Sequence, residues 1–199
     1  MSKLKQTLIL IKKKQKIMKT LKLTVTALLL ATTLGMNAQN VQVGGEPMLP
    51  KKNIVENAVN SKDHTTLVAA VKAAGLVETL ASAGPFTVFA PTNDAFENLP
   101  EGTVATLLKP ENKATLTKVL TYHVISGTYT SADLMKLIKK GNGKATLKTV
   151  SGDELYFSMN GPSNLLVWDE KGGSANIIVR DVMQSNGVIH SIDSVVLPK

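Results

Sequence analysis

From Gly141 to the end of the chain, short runs rich in β-branched and aromatic residues alternate with turn sequences. The runs are Ala145 to Val150, Glu154 to Ser158, Leu165 to Trp168, Asn176 to Val182 and Val188 to Val196. Between them lie Ser151-Gly152-Asp153, Asn160-Gly161-Pro162, Lys171-Gly172-Gly173 and Asn186-Gly187. Strands this short gain stability only as neighbours in a sheet, so this part of the chain is committed to β-structure.

Upstream the period changes. Leu67, Val68, Val71 and Ala74 recur at the spacing of one helix face, with Asp63 as the expected cap and Gly75 as the stop. A second short helix is expected over Leu76 to Leu80. After the Gly84-Pro85 turn, Phe86-Thr87-Val88-Phe89-Ala90 reads as a buried strand. Thr92 is placed to cap a helical turn through Asp94 to Phe96. Pro110 suits the first position of the helix containing Leu116, Val119 and Leu120, and Ser131 is the expected cap for Leu134 to Ile138. Helices first and strands later, with one strand among the helices, predict an α+β domain in a single copy.

The last two runs define a hairpin. If Asn186-Gly187 is a two-residue turn, Ser185 pairs with Val188, Met183 opposes His190, Asp181 opposes Ile192, and Arg180 opposes Asp193 as a cross-strand ion pair.

The N-terminal segment reads as an export address. From Met18 a short basic stretch is followed by the apolar run Leu23 to Leu34 and by Gly35-Met36-Asn37-Ala38, with the expected cut after Ala38. The apolar run is too short to span a bilayer core, which takes about 20 residues. Met1 to Ile17 reads as an extension of the basic region or an upstream start. Residues 1–38 are thus a signal peptide with a possible upstream extension, 39–53 a flexible lead-in containing Gly44-Gly45 and two prolines, and 54–199 the folded domain. Eight of the 23 basic residues are leader lysines, which leaves 15 against 15 acidic residues. The formal charge of +8 therefore belongs to the leader, and nothing in the remainder predicts a nucleic-acid partner. The chain has no cysteine, so no disulfide staples the fold and no thiolate can hold zinc. Its core must suffice.

Three segments resemble the fasciclin-like domain family, in order and at the family's spacing. Phe86-Thr87-Val88-Phe89-Ala90-Pro91-Thr92-Asn93-Asp94-Ala95-Phe96 is similar to its first signature, and Tyr122-His123 to its central dipeptide. The run from Asn186 to Pro198 is similar to its second signature. The resemblance implies a secreted bacterial single-domain member: a wedge of mostly antiparallel β-strands with a flanking helical layer, serving adhesion or matrix association. In animal members, receptor recognition has been assigned to an Asp-Ile-Leu or Asp-Ile-Met segment before the second signature and to residues around Tyr-His. Here the first corresponds to Asp181-Val182-Met183. Val182 replaces the isoleucine, and Arg180 stands where receptor-binding members carry Lys or Pro.

Each candidate has two readings. Asp181 can present a carboxylate to a partner, flanked by Val182 and Met183 as apolar contacts; alternatively the two apolar residues fill the core and Asp181 ends a strand. Tyr122 and His123 offer hydrogen bonds and a stacking face, but such a pair more often joins a helix to a strand with its polar atoms satisfied internally. His190, Ser191 and Asp193 suggest a hydrolytic set, yet strand neighbours alternate faces and no Gly-x-Ser-x-Gly elbow occurs. His64, His123 and His190 lack metal-ligand spacing, and Gly141-Asn142-Gly143-Lys144-Ala145-Thr146 lacks the spacing and the hydroxyl of a phosphate loop. No catalytic residue, cofactor or metal is expected. The reading is an exported, non-catalytic adhesion or binding module for a surface or matrix protein or polysaccharide. The alternative is a cell-envelope enzyme or small-molecule carrier using a pocket of the same domain.

Overall fold

The computed structural model describes residues 41–199, so the expected signal, residues 1–38, lies outside the described residues. The segment read as a flexible lead-in is folded from Gln42 onward. Strands β1 (Gln42–Val43) and β2 (Glu46–Pro47) form a ribbon about Gly44-Gly45, because Val43 and the following Met48 bury their side chains in the core.

Seven helices follow: α1 (Ile54–Ala58), α2 (Thr65–Ala74), α3 (Val77–Ala81), α4 (Asn93–Glu97), α5 (Thr103–Leu107), α6 (Lys113–Tyr122) and α7 (Ser131–Lys140). Helix α2 stops at Gly75, whose φ of 74° admits glycine without a Cβ penalty. The expected Asp63 cap does not form, since residues 62–64 make a 3-10 turn. Asn93, far along the chain, accepts from the Thr66 N–H at 3.0 Å instead. Thr92 caps α4 as expected, accepting from the Ala95 N–H. Pro110 opens a 3-10 turn that runs into α6. Ser131 is not the cap of α7; Thr130 is, in a reciprocal box with Asp133.

The larger sheet has the order β4-β3-β9-β8-β7-β6-β5, with β3 (Phe86–Pro91), β4 (Val124–Ser126), β5 (Lys144–Lys148), β6 (Glu154–Asn160), β7 (Asn164–Trp168), β8 (Ser174–Gln184) and β9 (Gly187–Ile192). Only β3 and β9 run parallel; every other pairing is antiparallel. Just past β5, the Val150 N–H donates to the Val124 carbonyl at 2.8 Å, which ties the two outer strands of the sheet together. The expected wedge arises at β8. Register shifts between Ile177 and Val182 bend this long strand, whose residues Ser174–Asn176 pair with β7 and whose remainder from Ile177 pairs with β9.

In the final hairpin the turn falls one residue earlier than expected, which shifts every pairing by two residues. Gln184 pairs with Gly187, Met183 with Val188 and Val182 with Ile189, so the turn is Ser185-Asn186. The cause is Asn186, whose buried amide donates to the Leu80 and Ser82 carbonyls and accepts from the Ile54 N–H. The expected Arg180–Asp193 ion pair does not form. Arg180 sits in the bulge and donates to the Ser163 carbonyl, whereas Asp193 accepts from Asn176.

Strands β3 and β9 separate two apolar cores. On one side Val88, Ala90, Ile189 and Val182 face α1 to α3 and α6; on the other, Phe89 and Ile192 meet Phe157, Leu155 and Val167 of the meander and Leu134 of α7. The Phe89 and Phe157 ring centroids lie 5.2 Å apart. Both faces of these central strands are covered, which explains their nearly unbroken burial.

Candidate functional site

The Asp181-Val182-Met183 segment occupies the bulged part of β8, and its three side chains have three different fates. Asp181 adopts φ 60°, a left-handed backbone conformation that Asp tolerates better than most residues. Its carboxylate accepts from the Ser131 N–H at 2.6 Å and from the Ser131 hydroxyl, binding the bulge to the first turn of α7. Val182 is core, at 1% exposure. Met183 is 41% exposed. On the same strand Ile178 is 53% exposed. Because β7 pairs with β8 only through Ser174–Asn176, the rest of β8 has a strand on one side alone among the described residues.

Tyr122 and His123 lie elsewhere, at the end of α6, and both are buried. The Tyr122 hydroxyl donates to the Glu154 carbonyl at 2.7 Å and accepts from the Glu170 N–H. Burial, reinforced by the nearby carboxylates of Asp169, Glu170 and Asp153, raises its pKa well above that of an ordinary phenol. His123 Nε2 accepts from the Val196 N–H at 3.3 Å, which leaves Nδ1–H to donate to the Val119 carbonyl at 2.8 Å. Burial pulls its pKa down from 6.5 to about 4, against the opposing pull of that carbonyl and of Asp169. The ring is therefore a neutral strut between α6 and the C-terminal segment.

His190, Ser191 and Asp193 do not assemble. His190 accepts from the Asp181 N–H through Nδ1 and faces the Tyr129 carbonyl through Nε2; Ser191 Oγ is buried without a partner among the described residues; and Asp193 is held by Asn176. His190 and Ser191 also lie on opposite faces of β9, as strand alternation requires. The Gly141 to Thr146 segment joins α7 to β5.

One feature was not apparent from the sequence. Between α1 to α3 and the sheet lies an apolar cavity of about 80 Å³, lined by Val71, Leu76, Val88, Ile189 and their neighbours. Its walls belong to segments spread from Val43 to Ile189, so no local pattern encodes it. Among the described residues no group of His, Cys, Asp and Glu is arranged to hold a metal ion, and no helix is long and apolar enough to cross a membrane.

The fasciclin domain family model matches residues 62–198. Protein sll1483 of Synechocystis sp. is 48% identical over 145 residues, covering 73% of this chain and 73% of its own. The transforming growth factor-beta-induced protein ig-h3 of Sus scrofa is 36% identical over 149 residues, which cover 75% of this chain but 20% of that protein. Among solved structures, a FAS1 domain pair from the insect cell adhesion molecule fasciclin I superposes with a TM-score of 0.65 at 19% identity, covering 73% of this chain and 51% of that one.

Proposed function

The chain belongs to the fasciclin domain family, and from that premise we propose that it is an exported, non-catalytic adhesion module that holds a surface or matrix partner. The observation that carries this reading is the outer edge of β8, where Ile178 and Met183 stand exposed beside a stretch without a second strand neighbour among the described residues. An extended segment of a protein partner could add there through main-chain hydrogen bonds, with the two apolar side chains supplying specificity. A polysaccharide would find little to stack on at this edge, so a protein is favoured over a polysaccharide. Within the Asp181-Val182-Met183 segment the contact is Met183; Asp181 shapes the bulge and Val182 anchors it. Tyr122 and His123 enter the reading as supports, since neither reaches the surface. Non-catalytic action is supported by the separate engagement of His190 and Asp193 and by the burial of the Ser191 hydroxyl away from both. Adhesion is supported by the likeness of the fold to the insect cell adhesion molecule.

The test is retention of cell-surface extract by the immobilised protein, comparing wild type with Ile178→Glu and Met183→Glu. Both positions are exposed, so folding should persist while retention falls at least severalfold. Retention that is equal in all three proteins would sink the reading. Export is tested separately, by N-terminal sequencing of the protein recovered outside the cytoplasm, which is expected to begin at Gln39.

A further inference from the structure

We propose that the cavity beneath the helical layer is a binding site for the alkyl chain of a monoanionic amphiphile, whose head group is held by Lys72. The inference is independent of the adhesion reading, since it concerns the opposite side of β3 and β9 from the meander.

Three observations converge. The first is the chemistry of the wall, which is apolar throughout its sheet floor at Val88, Ala90 and Ile189 and along Val55, Val71 and Leu76 of the helical roof. An apolar cavity of this kind stays dry, so a ligand's methylene groups enter without displacing bound water. The second is size. At about 80 Å³ the cavity is roughly half of the ~150 Å³ space that admits benzene in an engineered protein core, so it takes a chain end rather than a ring. The remainder of such a chain needs apolar surface outside, and two of the lining residues provide it: Val59 is 49% and Val150 43% exposed.

The third is charge. Among the described residues Lys72 is the only charged one lining the cavity, and it is exposed on α2 and makes no salt bridge. Two imidazoles, His64 and His123, also contribute to the wall, and burial lowers the pKa of both, so near pH 7 they are neutral and Lys72 sets the sign. An apolar slot with a cation at its rim selects a fatty-acid-like ligand over a neutral or cationic one of equal chain length.

The experiment is a titration of the isotope-labelled full chain, followed by methyl NMR, with decanoate and with decyltrimethylammonium, each below its micelle concentration. Decanoate is expected to give saturable shifts confined to cavity methyls such as those of Val71, Val88 and Ile189. The cationic amphiphile should bind roughly fivefold more weakly, the size of one exposed ion pair. Lys72→Glu, a change on an exposed helix position that the fold tolerates, should reverse that order. The proposal is overturned if no saturable cavity shifts appear, if shifts spread over surface methyls instead, or if Lys72→Glu leaves the order of the two amphiphiles unchanged.

Discussion

Asp181 couples two parts of the molecule that the sequence separates by 50 residues, the bulge of β8 and the first turn of α7. Its replacement tests how much of its value is structural. Asp181→Ala removes two charge-assisted hydrogen bonds and leaves an alanine at φ 60°, which together should cost about 3 kcal/mol. Asp181→Asn keeps an acceptor and a residue type that tolerates this conformation, and should cost less than half as much. Urea denaturation of the three proteins measures both, and equal losses for Ala and Asn would contradict the account. Nothing local in the sequence discloses this bond. What was legible nearby is the Thr130-x-x-Asp133 spacing of a capping box, which outranks Ser131 as the start of α7. His123 gives a second expectation. Its pKa lies near 4 in the fold and at 6.5 in the unfolded chain, so the unfolded state takes up the proton first as pH falls. Stability is therefore full above about pH 6.5 and is lost progressively towards pH 4, by roughly 3 kcal/mol from this residue. His64 and His190 shift in the same direction and add to the slope. Denaturation midpoints from pH 7.5 to 4 should fall less steeply in His123→Gln than in wild type; parallel curves would remove His123 as the cause.

At the scale of elements, strands and helices were legible wherever a local pattern sufficed. The five runs after Gly141 and the strand beginning at Phe86 all appear in the sheet, as their composition and intervening turns imply. Register was not legible. Asn186-Gly187 is the strongest hairpin signal in the last segment, yet Asn186 spends its side chain on Leu80, Ser82 and Ile54 and moves the turn back by one residue. Gly187 is then needed for a different purpose, the close approach of β3 to β9, because a Cβ there would strike the Phe86 carbonyl oxygen. Gly187→Ala should accordingly cost roughly 3 kcal/mol, the scale of backbone overpacking. Gly161→Ala is the control, since its turn has a φ of 74° but nothing near the added methyl, and about 1 kcal/mol is expected there. Thermal or urea unfolding separates the two, and similar losses would mean that the β3–β9 approach is not the constraint. The bulges in β8 were equally hidden, because they answer to the sheet's need to bend and not to any residue preference in Ile177 to Val182.

Across the whole molecule, the sequence conveyed the family and the class of fold through three motifs, two of which turn out to be the adjacent central strands β3 and β9. The third, Tyr122-His123, adjoins β3, where the His123 carbonyl accepts from the Phe89 N–H at 2.9 Å, while its side chains reach Glu154 of β6 and Val196 beyond β9. The motifs thus mark the shared wall between the two cores, which is why they carry so much of the resemblance and so little of the exposed contact surface. The cavity and the β8 edge were illegible for a common reason, since each is a property of several segments brought together. The place of β9 has a mechanical meaning as well. The strand is flanked by β3 and β8 on its two sides and leads directly to the C-terminal residues. A pull on that segment must first free Val196 from His123 and Leu197 from Asp169, and then loads β9 along its length, so that the hydrogen bonds on its two flanks shear together. For a molecule with the proposed role, a load entering beyond Ile192 is one that the paired flanks of β9 resist.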